Sequence, residues 1–264
     1  MERVLTYIGH KGKMFPVFKE GLPKNLHEYT FIEAFSGSLG LSMELLEKGC
    51  VYKILANDLD KSVISFWECV KNNPKRLVEC MHNLVAMHST YLYRVSDKEL
   101  RNMLEHTAKD KYSKAALFAF YKKLNEGRVH KAIGRIPDYG RWNYERAILT
   151  ASKLLKDSKL KNGSYTDLGE YNNAKTFWYF DPPYKDYDNA SYYDACRGEE
   201  FDHNKLYDFI KGLKGKFILS YNNSQYIKEL YKDFFVYSIR VRTPYVKEGY
   251  IDELVISNYN LNIR

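Results

Sequence analysis

Four large apolar residues, Phe177-Trp178-Tyr179-Phe180, run directly into Asp181-Pro182-Pro183-Tyr184, and no other feature constrains the fold of this chain as tightly. The apolar run has the length and composition of a short strand. Two consecutive prolines cannot donate to a sheet ladder, so the chain must leave the sheet at the carboxyl end of that strand. Open α/β sheets place their ligands at that end. An acid and an aromatic ring are thereby held on a stiff turn. The plain alternative is a strand-ending turn with an aspartate cap and a surface tyrosine.

The rest of the pattern fits an open sheet with an insertion. Residues 30–35 form an apolar run with one carboxylate in it, which breaks into Ser36-Gly37-Ser38-Leu39-Gly40 before a helix-period stretch carrying Leu41, Leu45 and Leu46. Gly49 is suited to cap that helix, and residues 52–56 read as a second strand ending in Asn57-Asp58. This is the start of a parallel βαβ unit. From Lys61 to Lys161 the helical period dominates. Pro74 suits a first helical position, Ser96-Asp97-Lys98-Glu99 makes a capping box, and Ser113 precedes an amphipathic stretch over 115–124. A loop over 125–142 holds Gly127, Gly134, Pro137 and Gly140. Strand signals return at 164–168, 177–180 and 216–220, with a helix marked by Leu206, Phe209, Ile210 and Leu213 between the last two. Residues 235–241 and 253–257 are strands joined without a helix, so they should pair antiparallel. The expected division is a sheet domain from 1–60 and 162–264 and a helical domain over 61–161.

Charge is concentrated in that helical segment. The chain of 264 residues carries a net charge of +8, and residues 109–161 hold 14 Lys and Arg against 5 Asp and Glu, leaving 27 against 28 elsewhere. A basic patch of this kind suits a polyanion, although a solvated helical face would read the same way. Lys122, Arg128, His130, Lys131, Arg135, Arg141, Trp142 and Asn143 mix phosphate-binding cations with side chains able to read base edges. Gly134 and Gly140 precede Arg135 and Arg141 and would let the backbone approach a duplex, which makes these two the expected base readers, with Lys122 and Lys131 on phosphates. Cys50, Cys69, Cys80 and Cys196 form no CxxC pair and no histidine sits at ligand spacing, so neither a metal nor a disulfide framework is indicated. With no apolar leader and no membrane-length run, the expectation is a cytoplasmic protein with no membrane partner and no obligate protein partner.

The glycine turn lacks the GxGxxG spacing, which disfavours a nicotinamide cofactor. Asp58, about twenty residues further on at the end of the second strand, is placed to bind the two hydroxyls of an adenosine ribose. Alternatively it caps the helix that starts at Lys61. Taken in order, Tyr7-Ile8-Gly9-His10-Lys11, Phe35-Ser36-Gly37, Asn57-Asp58, a helical insertion and Asp181-Pro182-Pro183-Tyr184 resemble the Dam-type, alpha-group (D12 class) DNA adenine-N6 methyltransferases. Ser220-Tyr221-Asn222-Asn223 and Asp252-Glu253-Leu254-Val255-Ile256-Ser257-Asn258 extend the resemblance to nearly the whole chain.

The resemblance implies a Rossmann-like α/β sheet of seven strands with an antiparallel last hairpin, S-adenosylmethionine as methyl donor, double-stranded DNA as partner and an inserted helical DNA-recognition domain. Carried over by position, Tyr7 and Lys11 contact the donor, Phe35, Ser36 and Gly37 lie under its methionine part, and Asp58 binds its ribose. Asp167 falls near its adenine, and Asp181 touches both donor and target. Where members that methylate GATC carry Arg-x-Asn followed by Gly-x-Phe-Asn and Pro-x-Gly, this chain reads Gly134-Arg135-Ile136-Pro137-Asp138-Tyr139-Gly140-Arg141-Trp142-Asn143, so that target is not carried over.

The chemistry of the turn accounts for its residues independently. The exocyclic amine of adenine is a poor nucleophile because its lone pair is delocalised into the ring. The Asp181 carboxylate and the Pro182 carbonyl can accept both amino hydrogens, Pro183 stiffens the turn, and Tyr184 offers a ring for a base extruded at a cost of about a few kcal/mol. Alternatives that remain are methylation of RNA or of an amide nitrogen, and a catalytically inactive basic DNA-binding protein on the same fold.

Overall fold

The computed structural model describes residues 4–7, 11–91, 94–124, 142–184, 201–242 and 249–263. Strand β1 (Thr30–Glu33) pairs parallel with β2 (Ile54–Asp58), which pairs parallel with β3 (Lys159–Asn162). On its other side β1 pairs parallel with β4 (Thr176–Phe180), Phe31 opposite Phe177, and β4 with β5 (Lys216–Asn222). The chain then closes the sheet with β6 (Phe235–Arg242) at the edge and β7 (Tyr250–Ser257) between β5 and β6, antiparallel to both. The order is β3-β2-β1-β4-β5-β7-β6, seven strands among the described residues, with the antiparallel hairpin at the end. Because the chain goes one way from β1 and the other way from β4, the carboxyl ends of these two neighbours flank the topological switch point, where such sheets open a ligand crevice.

Alternation along β4 explains why it is central. Phe177 and Tyr179 face one layer of helices, Trp178 and Phe180 the other, and all four are fully buried. Truncating any of these rings would cost about 3 to 5 kcal/mol. One face is covered by α1 (Phe15–Phe18), α2 (Gly40–Glu47), α3 (Lys61–Asn72), α4 (Pro74–Tyr91), α5 (Asp97–His106), α6 (Lys111–Leu124) and α7 (Tyr144–Leu154). The opposite face carries α8 (His203–Lys211) and α9 (Gln225–Leu230). Local signals act as the sequence suggests: Pro74 opens α4, and Ser96 caps α5 in a reciprocal box with Glu99.

Two expectations need correction. Residues 164–168 are not a strand. Ser164 and Asp167 form a capping box that starts a tight 3-10 turn, Tyr165–Tyr171, and the strand that pairs with β2 is Lys159–Asn162 just before it. An edge strand reading Lys-Leu-Lys-Asn, largely open to solvent, has no apolar alternation to reveal it. Consequently 159–161, placed with the helical segment, belong to the sheet. Nor is that segment separately cored: Phe66, Trp67, Phe120, Ala147 and Ile148 join Phe31, Ile54 and Phe177 in one continuous apolar cluster. Among the described residues no helix is long and apolar enough to cross a membrane, and no group of side chains could hold a metal ion.

Candidate active site

The first half of the site is built where β1 ends. The chain turns back through Phe35 to Gly37, with Ser36 N donating to the Asn57 carbonyl at 2.8 Å. Gly37 has φ +41°, and a side chain there would press on the Tyr7 ring at 3.2 Å, so the turn needs glycine for both reasons. Asp58 fixes its far side: Gly37 N donates to Oδ2 at 2.8 Å, and Trp67 Nε1 donates to the Gly37 carbonyl at 2.9 Å. The second Asp58 oxygen accepts from Asp60 N at 2.9 Å. Burial pushes the Asp58 carboxyl up to about 6 against these backbone donors. The capping alternative for Asp58 falls to its neighbour, since Asp60 caps α3 by accepting from Ser62 N at 2.8 Å. Beside the turn, the buried Ser36 Oγ and Asn57 Oδ1 have no partner among the described residues. Leaving such groups unmatched costs about 1 to 3 kcal/mol each. A polar ligand on this turn would match them.

The second half lies across the switch point. Lys11 is buried, 7% exposed, and its Nζ sits 2.9 Å from Oδ1 and 3.0 Å from Oδ2 of Asp181, which is itself 18% exposed. The same ammonium lies 4.9 Å from the centre of the Tyr184 ring. Tyr184 is thus gripped from several sides, with its hydroxyl 3.2 Å from Asp181 Oδ1 and 3.3 Å from Glu253 Oε2 and its ring against Tyr221. Burial raises the Asp181 pKa, and the charge and hydrogen bond of Lys11 oppose it. Glu33, at the end of β1, links the two halves. Burial, resisted by a hydrogen bond with the Ser42 hydroxyl and reinforced by the charges of Asp181 and Asp58, lifts its carboxyl to about 8.

Most expected site residues on this end of the sheet converge. Tyr7, Lys11, Phe35, Ser36, Gly37, Asp58 and Asp181 to Tyr184 lie around the two strand ends, and the Phe35 ring packs against Tyr165 and Phe201. Asp167 is exposed, and its carboxylate is occupied as a cap, accepting from Ser164 N at 2.9 Å. Lys122, expected on a phosphate, lies with Nζ 4.7 Å from the centre of the Tyr7 ring and 5.6 Å from that of Phe118. Trp142 is half-buried against Phe120 and Tyr144, whereas Asn143 is exposed at the start of α7. Arg128, His130, Lys131, Arg135 and Arg141 lie outside the described residues. Sequence reasoning gave no role to Glu33 or Glu253. The signal was there in each case, a carboxylate directly beside the apolar run of its strand.

The family model for D12 class N6 adenine-specific DNA methyltransferases matches residues 7–244. The chain is 28% identical over 287 residues to the Type II methyltransferase M.MjaIII of Methanocaldococcus jannaschii, covering 97% of this chain and 98% of that protein. It is also 28% identical to the Type II methyltransferase M1.LlaDCHI of Lactococcus lactis subsp. cremoris, covering 96% and 94%, and 23% identical to the Type II methyltransferase M.CviBI of Paramecium bursaria Chlorella virus NC1A, covering 94% and 91%.

Proposed function

The chain belongs to the D12 class N6 adenine-specific DNA methyltransferases, and from that premise we propose that it methylates adenine N6 at a short duplex site, using S-adenosylmethionine and a base flipped against Tyr184. The observation that carries this reading is the Asp181 carboxylate held by buried Lys11 at the switch point, beside a ring in the same turn. S-adenosylmethionine would supply an electrophilic methyl on a sulfonium. Tyr7, the turn from Phe35 to Gly37 and Asp58 would hold it, and the unmatched Ser36 Oγ and Asn57 Oδ1 offer it hydrogen bonds.

The protein's own contribution is to make the amine nucleophilic. Asp181 and the Pro182 carbonyl accept the two amino hydrogens, which frees the nitrogen lone pair, and the carboxylate stabilises the positive charge that then develops. Lys11 favours the Asp181 anion and opposes the burial that raises its pKa. Extrusion of the base from the duplex costs about a few kcal/mol, offset by stacking on Tyr184. The basic helical segment would dock the duplex, with Lys122 and Lys131 on phosphates and Arg135 and Arg141 reading bases.

Tritium from methyl-labelled S-adenosylmethionine should enter duplex DNA and be recovered as N6-methyladenine, and Asp181→Ala should abolish the transfer. Label in RNA, in protein or in cytosine would overturn the reading. Long-read sequencing of a plasmid from an expressing host would give the site.

A further inference from the structure

Glu253 lies two strands away from Asp181, on β7, where it pairs with Asn222 at the carboxyl end of β5. It is the first buried residue of its strand and is 6% exposed. A charge-bearing side chain at that depth needs a partner. The partner is the Tyr184 hydroxyl, 3.3 Å from Glu253 Oε2, and the same hydroxyl is 3.2 Å from Asp181 Oδ1. A tyrosine has one hydroxyl proton. With both acids ionised it could satisfy only one of them, and the other oxygen would face the tyrosine oxygen with no proton between. Both contacts are satisfied if one acid brings its own proton. Asp181 is the acid with the salt bridge to Lys11, which favours its anion, so the proton belongs on Glu253.

We propose, resting on the methyl-transfer reading above, that Glu253 is a positioning residue: as a neutral acid it donates to the Tyr184 oxygen, so that the tyrosine proton points at the Asp181 carboxylate. The resulting chain runs Glu253 to Tyr184 to Asp181, with Lys11 closing it from the other side. It fixes the ring that receives the base and orients the acid that receives the amine. The groups facing Glu253 are Lys11 from the N-terminal segment, Asp181 and Tyr184 from the turn after β4, and Tyr179 from β4 itself. Burial is the main force raising its pKa, Lys11 works against it and Asp181 adds to it.

The test is a double-mutant cycle on transfer of labelled methyl groups into unmethylated duplex DNA. Glu253→Leu should lower kcat about tenfold, the worth of one hydrogen bond, with KM for donor and DNA changed less than about twofold. In a Tyr184→Phe background, which has no hydroxyl to orient, the same substitution should add less than about twofold. Glu253→Gln, whose amide can donate to the tyrosine oxygen at any pH, should recover most of the loss. It should also remove the fall in rate that wild type shows as pH rises through the Glu253 pKa. Additive losses in the cycle, a Gln variant as impaired as Leu, or an alkaline limb unchanged by Gln would each overturn the proposal. A wild-type protein that transfers no methyl to DNA overturns the parent reading and this one with it, whereas transfer by wild type with additive losses overturns this one alone.

Discussion

Glutamine at position 33 should change how stability depends on pH. Glu33 is 3% exposed at the end of β1, bonded to the Ser42 hydroxyl and facing the charges of Asp181 and Asp58. Burial is the largest influence, and it holds the folded carboxyl protonated up to about 8 where an ordinary one ionises near 4.5. Between these values the folded chain keeps a proton that the unfolded chain has released. Stability from this group is therefore complete below the unfolded pKa and is lost as pH rises towards the folded one. At about 1.4 kcal/mol per pH unit, the penalty grows to about 4 to 5 kcal/mol by about pH 8. Glutamine keeps the shape and an acceptor for Ser42 but cannot ionise. Its amide hydrogens bring an offset of about 1 to 3 kcal/mol if unmatched, an offset that does not vary with pH. The slope therefore carries the test, and the absolute stability does not. Urea unfolding followed by circular dichroism at steps from about pH 5 to about pH 8 should give a wild-type stability that falls by about 4 kcal/mol relative to Glu33→Gln across that range. Asp58, Asp181 and Glu253 remain in both proteins, so their contributions cancel in the difference to first order. Parallel curves would refute the claim that Glu33 is buried protonated.

Three further outcomes follow from contacts elsewhere. Lys11→Met removes the cation that opposes burial at Asp181, so the Asp181 pKa should rise and the acid limb of the kcat/KM profile should move to higher pH; an unmoved limb would mean that Lys11 does not control that acid. Asp58→Ala removes a charge-assisted hydrogen bond from the glycine turn and should weaken S-adenosylmethionine binding by about 1.5 to 3 kcal/mol in calorimetry, with DNA affinity unchanged. Gly215→Ala would drive a methyl into the Thr176 carbonyl oxygen and Oγ1, forcing apart the chain leading into β5 and the start of β4, and should destabilise by about 1 to 3 kcal/mol in urea melts.

The sheet was legible wherever a strand is buried. Phe31, Ile54, Phe177, Phe217 and Val255 mark β1, β2, β4, β5 and β7 by apolar content alone, and the sequence between β6 and β7 carries no helical pattern, which points to their antiparallel pairing. β3 was illegible because an exposed edge strand with two lysines carries no burial signal, while the alternating stretch after it is held in a 3-10 turn by the Ser164–Asp167 box. The amphipathic period of α3 and α7 says that each buries a stripe, not what the stripe meets. Their continuity with the sheet core therefore had to come from the structure. At the site, the proline pair located Asp181 by backbone chemistry. Its bond to Lys11 joins residues separated by 170 positions, and no local pattern encodes a contact of that range.

The distribution of charge among the acids explains why Asp181 in particular meets the amine. Glu33, Asp58, Asp181 and Glu253 crowd one end of the sheet, and burial raises the pKa of all four. Ionising all of them together would stack like charges in a low dielectric, which pairing with the Lys11 ammonium could not offset. The fold separates them by partner instead. Glu33 has a hydroxyl and remains protonated, Asp58 has backbone N–H groups, and Glu253 has the tyrosine oxygen. Among the described residues Asp181 alone of the four has a salt bridge. Lys11 thus opposes burial at Asp181, at the position where a hydrogen-bond acceptor is required to free the lone pair of the target nitrogen, while Asp58, lifted to about 6, spends its charge on the backbone donors of the glycine turn.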